Sequence, residues 1–159
     1  RGEDARAQKL IIADMAPRAY TPHHQTVFDA LLSAPILGAS ERSTIEQHLN
    51  RHLADSSMTS FLMKGLRRDK KNGFSWRPNI KVLNDTMTTI VGEVPLSINT
   101  WPILVIYGGQ SNYVEQADLE QYEQSCMQLE VHRIPDAGHW LHASHPKEFF
   151  EITEEFLSA

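Results

Sequence analysis

Two short apolar runs constrain this chain more than anything else in it. Lys9-Leu10-Ile11-Ile12-Ala13 ends in Asp14, and Pro102-Ile103-Leu104-Val105-Ile106-Tyr107 is closed by Gly108-Gly109. A strand with one face in water alternates apolar and polar residues. A run that is apolar at every position suits a strand covered on both faces, as in a parallel sheet with helices packed above and below it. Leu129 to Ile134 alternates like a third strand. Glu115 to Ser125 reads as a polar-faced helix, and Pro146 to Leu157 as a closing helix with Phe149, Phe150, Ile152, Thr153 and Phe156 available for its buried stripe. The order is strand, insertion, strand, helix, strand, helix, which is α/β with mostly parallel pairing.

The insertion reads as helical. Pro22 to Leu37 places Val27, Leu31 and Leu32 on one stripe, with Pro35 near its end. Ser40 to Leu53 has a capping residue at Ser40 and apolar Ile45, Leu49 and Leu53 one turn apart. Ser57 to Leu66 gathers Phe61, Leu62 and Leu66. Asn72-Gly73 is a turn, and Asn79 to Val91 is a further helix through Val82, Leu83 and Ile90. The expected organisation is therefore a core from residues 1–17 and 96–159, interrupted by a helical insertion over 18–95.

Composition removes several function classes. A chain of 159 residues suits one domain, which at that size buries roughly 70% of its unfolded surface. A formal net charge of −5 gives no electrostatic reason to expect nucleic acid. The basic run Arg67-Arg68-Asp69-Lys70-Lys71 is expected to be a solvated loop between helices. No apolar run approaches the ~18 residues of a membrane span. The first residues, Arg1-Gly2-Glu3-Asp4-Ala5-Arg6, carry no signal-peptide core. Cys126 is the only cysteine, which excludes an intramolecular disulfide and favours a reducing, cytoplasmic setting.

The chemistry-bearing segment is Asp136-Ala137-Gly138-His139-Trp140-Leu141-His142-Ala143. His139 lies on a Gly turn at the C-terminal end of a strand, where α/β folds gather their sites. It is read either as a general base or as a surface histidine of that turn. The remaining histidines do not form a metal motif. His48 and His52 are spaced i, i+4 but lack the glutamate that follows the first histidine of a metalloprotease helix, and no cysteines accompany His139, His142 and His145. His142 is read as structural, His145 as a loop residue, and His23-His24 as an entrance to the insertion. Ser111 follows a Gly-Gly turn, but Asn112 and Tyr113 provide no small residue for the tight elbow of a nucleophilic serine. A supporting hydroxyl is the better assignment. No metal or organic cofactor is implied.

Three segments together resemble the C-terminal part of an α/β-hydrolase, of the YbfF-type small esterases: Ile12-Ala13-Asp14-Met15-Ala16-Pro17, Tyr107-Gly108-Gly109-Gln110-Ser111-Asn112-Tyr113-Val114, and Ala137-Gly138-His139-Trp140-Leu141-His142-Ala143. Phe61-Leu62-Met63-Lys64 and Trp76-Arg77-Pro78-Asn79 add a weaker match. The resemblance implies that the three strands are the last of an eight-stranded sheet and that the insertion is the lid. It implies a Ser-His-Asp mechanism with His139 as base. The acid that usually follows the penultimate strand is replaced here by Ser111, and the resembled esterases place theirs at the end of the preceding strand, which corresponds to Asp14. Asp118 and Asp136 are the other candidates. Phe61, Trp76, Tyr113 and Trp140 are read as possible walls of an acyl pocket, or as plain core.

No Gly-x-Ser-x-Gly turn occurs in the chain, so its residues hold neither the nucleophile nor the oxyanion-hole turn of that family. Three readings follow. The chain is a portion of a longer serine esterase, a subunit completed by a partner that carries the N-terminal half, or a noncatalytic binding or scaffold module. The substrates expected of the first two are small acyl esters or thioesters.

Overall fold

The computed structural model describes residues 8–69 and 73–159, and places elements in this order: β1 (Leu10–Ala13), α1 (Gln25–Leu32), α2 (Arg42–His52), α3 (Ser56–Met63), β2 (Leu66–Asp69), β3 (Gly73–Trp76), α4 (Ile80–Asp85), α5 (Met87–Ile90), β4 (Asn99–Gly108), α6 (Gln116–Ser125), β5 (Cys126–Ile134), α7 (Leu141–Ser144) and α8 (Pro146–Ser158). The chain divides into two compact units. One comprises the chain up to Ala19 together with Glu93–Ala159, and the other is Tyr20–Gly92.

In the first unit β1, β4 and β5 form a parallel sheet in the order β1-β4-β5. The continuous apolar run of β4 has the physical reason expected of it, because both faces are covered. Leu104 and Ile106 pack with Ile134, Ala137, Leu141 and Phe156, while Ile103 and Val105 pack with Tyr122 and Cys126. Successive side chains of a strand point to opposite faces, so one strand feeds both cores. Among the described residues β1 pairs on one side only. The two points where the chain leaves and re-enters this unit are joined, with Val94 N–H donating to Pro17 O at 2.8 Å.

The Tyr20–Gly92 unit has its own core, including Phe28, Leu31, Ile45, Leu49, Leu53, Met63, Leu66, Phe74 and Ile80. The stripe Ile45, Leu49, Leu53 is buried, as its one-turn spacing requires. Other expectations need correction. The helix expected over Ser57 to Leu66 stops at Met63. Leu66 instead opens an antiparallel hairpin, β2 against β3, in register Leu66↔Trp76 and Arg67↔Ser75. Arg67 and Arg68 are therefore strand residues rather than an interhelical loop: Arg67 Nε donates to Ser75 Oγ at 2.9 Å, and the Arg68 guanidinium lies 5.4 Å from the Phe74 ring centre. The remainder of the basic run and of the Asn72-Gly73 turn, at Lys70, Lys71 and Asn72, lies outside the described residues, as does the Arg1–Arg6 segment.

The helix expected over Asn79 to Val91 is broken at Thr86, whose hydroxyl donates to Val82 O at 2.7 Å. Asn79 caps the first piece by accepting Val82 N–H at 3.2 Å. Its buried residue is Ile80, and the expected stripe Val82, Leu83 and Ile90 is exposed. In α1 Phe28 is buried in place of Leu32, and in α8 Phe150 faces solvent. The first residue of α2 is Arg42, preceded by Glu41 rather than by the expected cap Ser40.

Candidate active site

Asp14 is the first residue beyond β1 and is fully buried. Its N–H still donates to Ile106 O at 2.7 Å, so it keeps the sheet's pairing. Its φ is +49°, the left-handed region that few side chains other than Asn and Asp adopt. Its two carboxyl oxygens receive three donors. Oδ1 accepts the Gly108 N–H at 3.0 Å, and Oδ2 accepts the Ser111 hydroxyl at 2.5 Å and His139 Nδ1 at 2.8 Å. A carboxyl group with no water contact needs such donors, since burying it unpaired is strongly unfavourable.

His139 is carried by the turn between β5 and α7. A carboxyl oxygen that already accepts from Ser111 acts as acceptor toward the ring too, so Nδ1 carries the proton and Nε2 is left as the basic nitrogen. The side chain is about one-third exposed. Tyr113 stacks on one face, with ring centres 3.8 Å apart and planes 15° from parallel. Trp140 meets the imidazole edge-on at 6.4 Å. Burial, and after it the Asp14 carboxylate, pushes the Tyr113 phenol up, so it stays neutral.

Asp14 and His139 follow β1 and β5, the two outer strands of the sheet among the described residues, and the turn after β4 joins them. Its glycines are required by close approach. A Cβ on Gly108 would lie 2.5 Å from Ala137 O, and one on Gly109 would lie 2.3 Å from Pro135 O. Without those methyl groups, Gly109 N–H reaches Ile134 O at 2.8 Å and Gln110 N–H reaches Ala137 O at 2.9 Å. The histidine turn is thereby fastened to the turn that carries Ser111.

Arg18 fixes the next segment, a role with no signal in the sequence. Its guanidinium pairs with Asp118 Oδ2 and Glu115 Oε1, each at 3.1 Å, and reaches the carbonyls of Asn112 and Tyr113 at 3.4 Å. Asp118, one of the alternative acids, is committed to that ion pair and to the Glu115 N–H in the capping box of α6. Asp136 is exposed. Ser111 directs its hydroxyl hydrogen to Asp14 and accepts the Tyr113 N–H at 3.2 Å.

The structure thus brings His139, Asp14, Ser111 and Tyr113 together, with Trp140 alongside. Phe61 and Trp76 belong to the other unit. Trp76 packs against that unit's core and donates Nε1–H to Leu31 O at 3.1 Å, whereas Phe61 is largely exposed on α3. The other histidines have separate partners. His48 Nε2 lies 3.1 Å from Ala30 O, His52 Nδ1 lies 2.8 Å from His48 O, His142 packs edge-on against Phe149, and His145 Nδ1 lies 2.9 Å from Ser144 Oγ. Among the described residues no three His, Cys, Asp or Glu side chains converge as a metal cluster, and no helix is long and apolar enough to cross a membrane.

A parallel sheet that brings a buried carboxyl group and a histidine together from strand ends on either side of a central strand defines a class. Residues 38–146 match the family described as alpha/beta hydrolase fold, and the chain belongs to that family. It is 29% identical to Esterase YbfF of Escherichia coli strain K12, over 96% of this chain and 59% of that protein. It is 25% identical to the Mus musculus sn-1-specific diacylglycerol lipase ABHD11, over 95% of this chain and 51% of that protein. A solved marine microorganism esterase superposes with a TM-score of 0.86 at 30% identity, over 94% of this chain and 60% of the esterase. The chain therefore spans between about half and three-fifths of the length of these relatives.

Proposed function

We propose that this chain supplies the base and the orienting acid of a serine ester hydrolase. The observation that carries the reading is the 2.8 Å hydrogen bond from His139 Nδ1 to the fully buried carboxyl of Asp14, on a ring that is itself about one-third exposed. In the reaction, Nε2 takes the proton of a serine hydroxyl as that oxygen attacks an acyl carbon. It then gives the proton to the departing alcohol or thiol, and water repeats the cycle on the acyl-enzyme. Asp14 holds the tautomer and stabilises the imidazolium that forms at each step.

The serine and the oxyanion-hole N–H groups come from an N-terminal portion, on the same polypeptide or on an associated chain. The shorter span of this chain relative to its relatives supports that division. The insertion over 18–95 takes the lid role of the family. Substrates are small acyl esters or thioesters of modest acyl length, and the lone, buried Cys126 suits a cytoplasmic setting.

The test is to label the chain with a fluorophosphonate, alone and with any copurifying polypeptide, and to assay short acyl esters in the reconstituted enzyme. Labelling of a partner's serine, with turnover lowered by about 10⁴ in Asp14→Asn, is the expected result. Near-normal turnover in that variant removes Asp14 from the mechanism. No labelled species, with the chain a lone folded monomer, favours a noncatalytic binding or scaffold module.

A further inference from the structure

His139 is restrained at one point by its hydrogen bond to Asp14, but that bond alone leaves the ring free to rock about the Nδ1–oxygen axis. A base that is about one-third exposed and must present Nε2 repeatedly in one direction needs a second restraint. The Tyr113 ring lies nearly parallel to the imidazole at 3.8 Å. Tyr113 is itself held at three places: its N–H donates to Ser111 Oγ at 3.2 Å, its carbonyl faces the Arg18 guanidinium at 3.4 Å, and the next residue, Val114, is buried. Ser111 in turn donates to the oxygen of Asp14 that receives the imidazole. Contacts therefore close into a ring: Asp14 to His139, His139 to Tyr113, Tyr113 to Ser111, and Ser111 back to Asp14.

We propose that Tyr113 is a positioning residue for the base, its ring acting as a flat stop that holds the His139 imidazole in the plane in which Nδ1 meets Asp14. The stop is the face of the ring, so a phenylalanine serves and a flexible, non-planar side chain does not. A stacked aromatic face also favours the imidazolium formed during proton transfer, through attraction of positive charge to the ring's electron-rich face. This rests on the reading of His139 and Asp14 as base and acid.

Proton NMR of this chain at low temperature tests it without any nucleophile. The His139 Nδ1 proton gives a far-downfield resonance whose exchange with water is measured in wild type, Asp14→Asn, Tyr113→Phe and Tyr113→Met. The expected result is that Asp14→Asn abolishes the resonance, Tyr113→Phe keeps the wild-type exchange rate, and Tyr113→Met speeds exchange by roughly threefold to tenfold, the scale of one lost aromatic contact. Amide dispersion of β4 and β5 confirms that each variant is folded, and Tyr113→Leu replaces Tyr113→Met should the latter unfold. A resonance that Asp14→Asn abolishes but the non-planar substitutions leave unchanged overturns the role of Tyr113 alone. A resonance that is missing in wild type, or that survives Asp14→Asn, overturns the acid–base pair and the role of Tyr113 with it.

Discussion

Gly109→Ala adds one methyl group and is expected to loosen the whole first unit. The φ of Gly109 lies outside the left-handed region, so alanine meets no backbone obstacle and only space is at issue. The new Cβ would lie 2.3 Å from Pro135 O and 2.8 Å from Pro135 Cα and carbonyl carbon. A carbon–oxygen contact is comfortable at about 3.3 Å, so the two turns must part by roughly 1 Å. The displaced atoms are backbone and cannot rotate away. Parting the turns lengthens the Gly109 N–H to Ile134 O and Gln110 N–H to Ala137 O bonds, now 2.8 and 2.9 Å, beyond useful range. Overpacking of this kind costs about 1–3 kcal/mol, and a weakened backbone bond adds about 1 kcal/mol, so we expect a loss near 3 kcal/mol. Hydrogen exchange at the amides of β4 and β5 across a urea series reads this unit separately from the other. A loss below about 0.5 kcal/mol, the level of an ordinary surface change, would refute the claim that this approach of the two turns is tight. His139 rides on the displaced turn, so its Nδ1 proton should exchange faster in the same variant.

Two further outcomes concern the separate cores. Leu104→Ala removes a fully buried side chain packed against Ile134, Leu141 and Phe156, and should destabilise the first unit by about 2–5 kcal/mol in urea unfolding. A smaller loss would mean that the site collapses around the gap. His48 has its pKa lowered, first by burial and further by His52 and Arg51, against the opposing effect of the Ala30 carbonyl. The unfolded chain therefore takes up this proton first as pH falls below about 6.5, so the contribution to stability is complete above that value and declines on acidification. The urea midpoint of the Tyr20–Gly92 unit should drop more between about pH 7.5 and 5.5 in wild type than in His48→Gln. Equal drops would remove His48 as the cause.

The parts legible in the sequence were those with a local pattern. The unbroken apolar run of β4 reported two covered faces, and Ile45, Leu49 and Leu53 reported one helical stripe. The hairpin was hidden because Phe61, Leu62 and Leu66 continue a helical spacing across the point where the chain turns. The pairing of Leu66 with Trp76 is a tertiary fact that no single window contains. At the site, His139 and Asp14 were marked by their turns and by the family resemblance, and the structure sets them 2.8 Å apart. The grip of Arg18 on Asp118 joins residues 100 positions apart through one long side chain. Nothing periodic announces such a contact. The left-handed backbone of Asp14 was equally silent, because it reflects where the carboxyl group must point.

The hydrogen bond from Val94 to Pro17 has a consequence for how this chain can tolerate change. It closes the neck of the excursion inside the sheet-bearing unit, only three residues beyond Asp14. Whatever lies between the two ends is thus a graft on a fixed stem. Lengthening, shortening or exchanging it leaves the stem's geometry in place, since the entropy of closing a longer loop rises only slowly with its length. Sequence change within Tyr20–Gly92 can then proceed with little disturbance of the turns that hold Asp14 and His139.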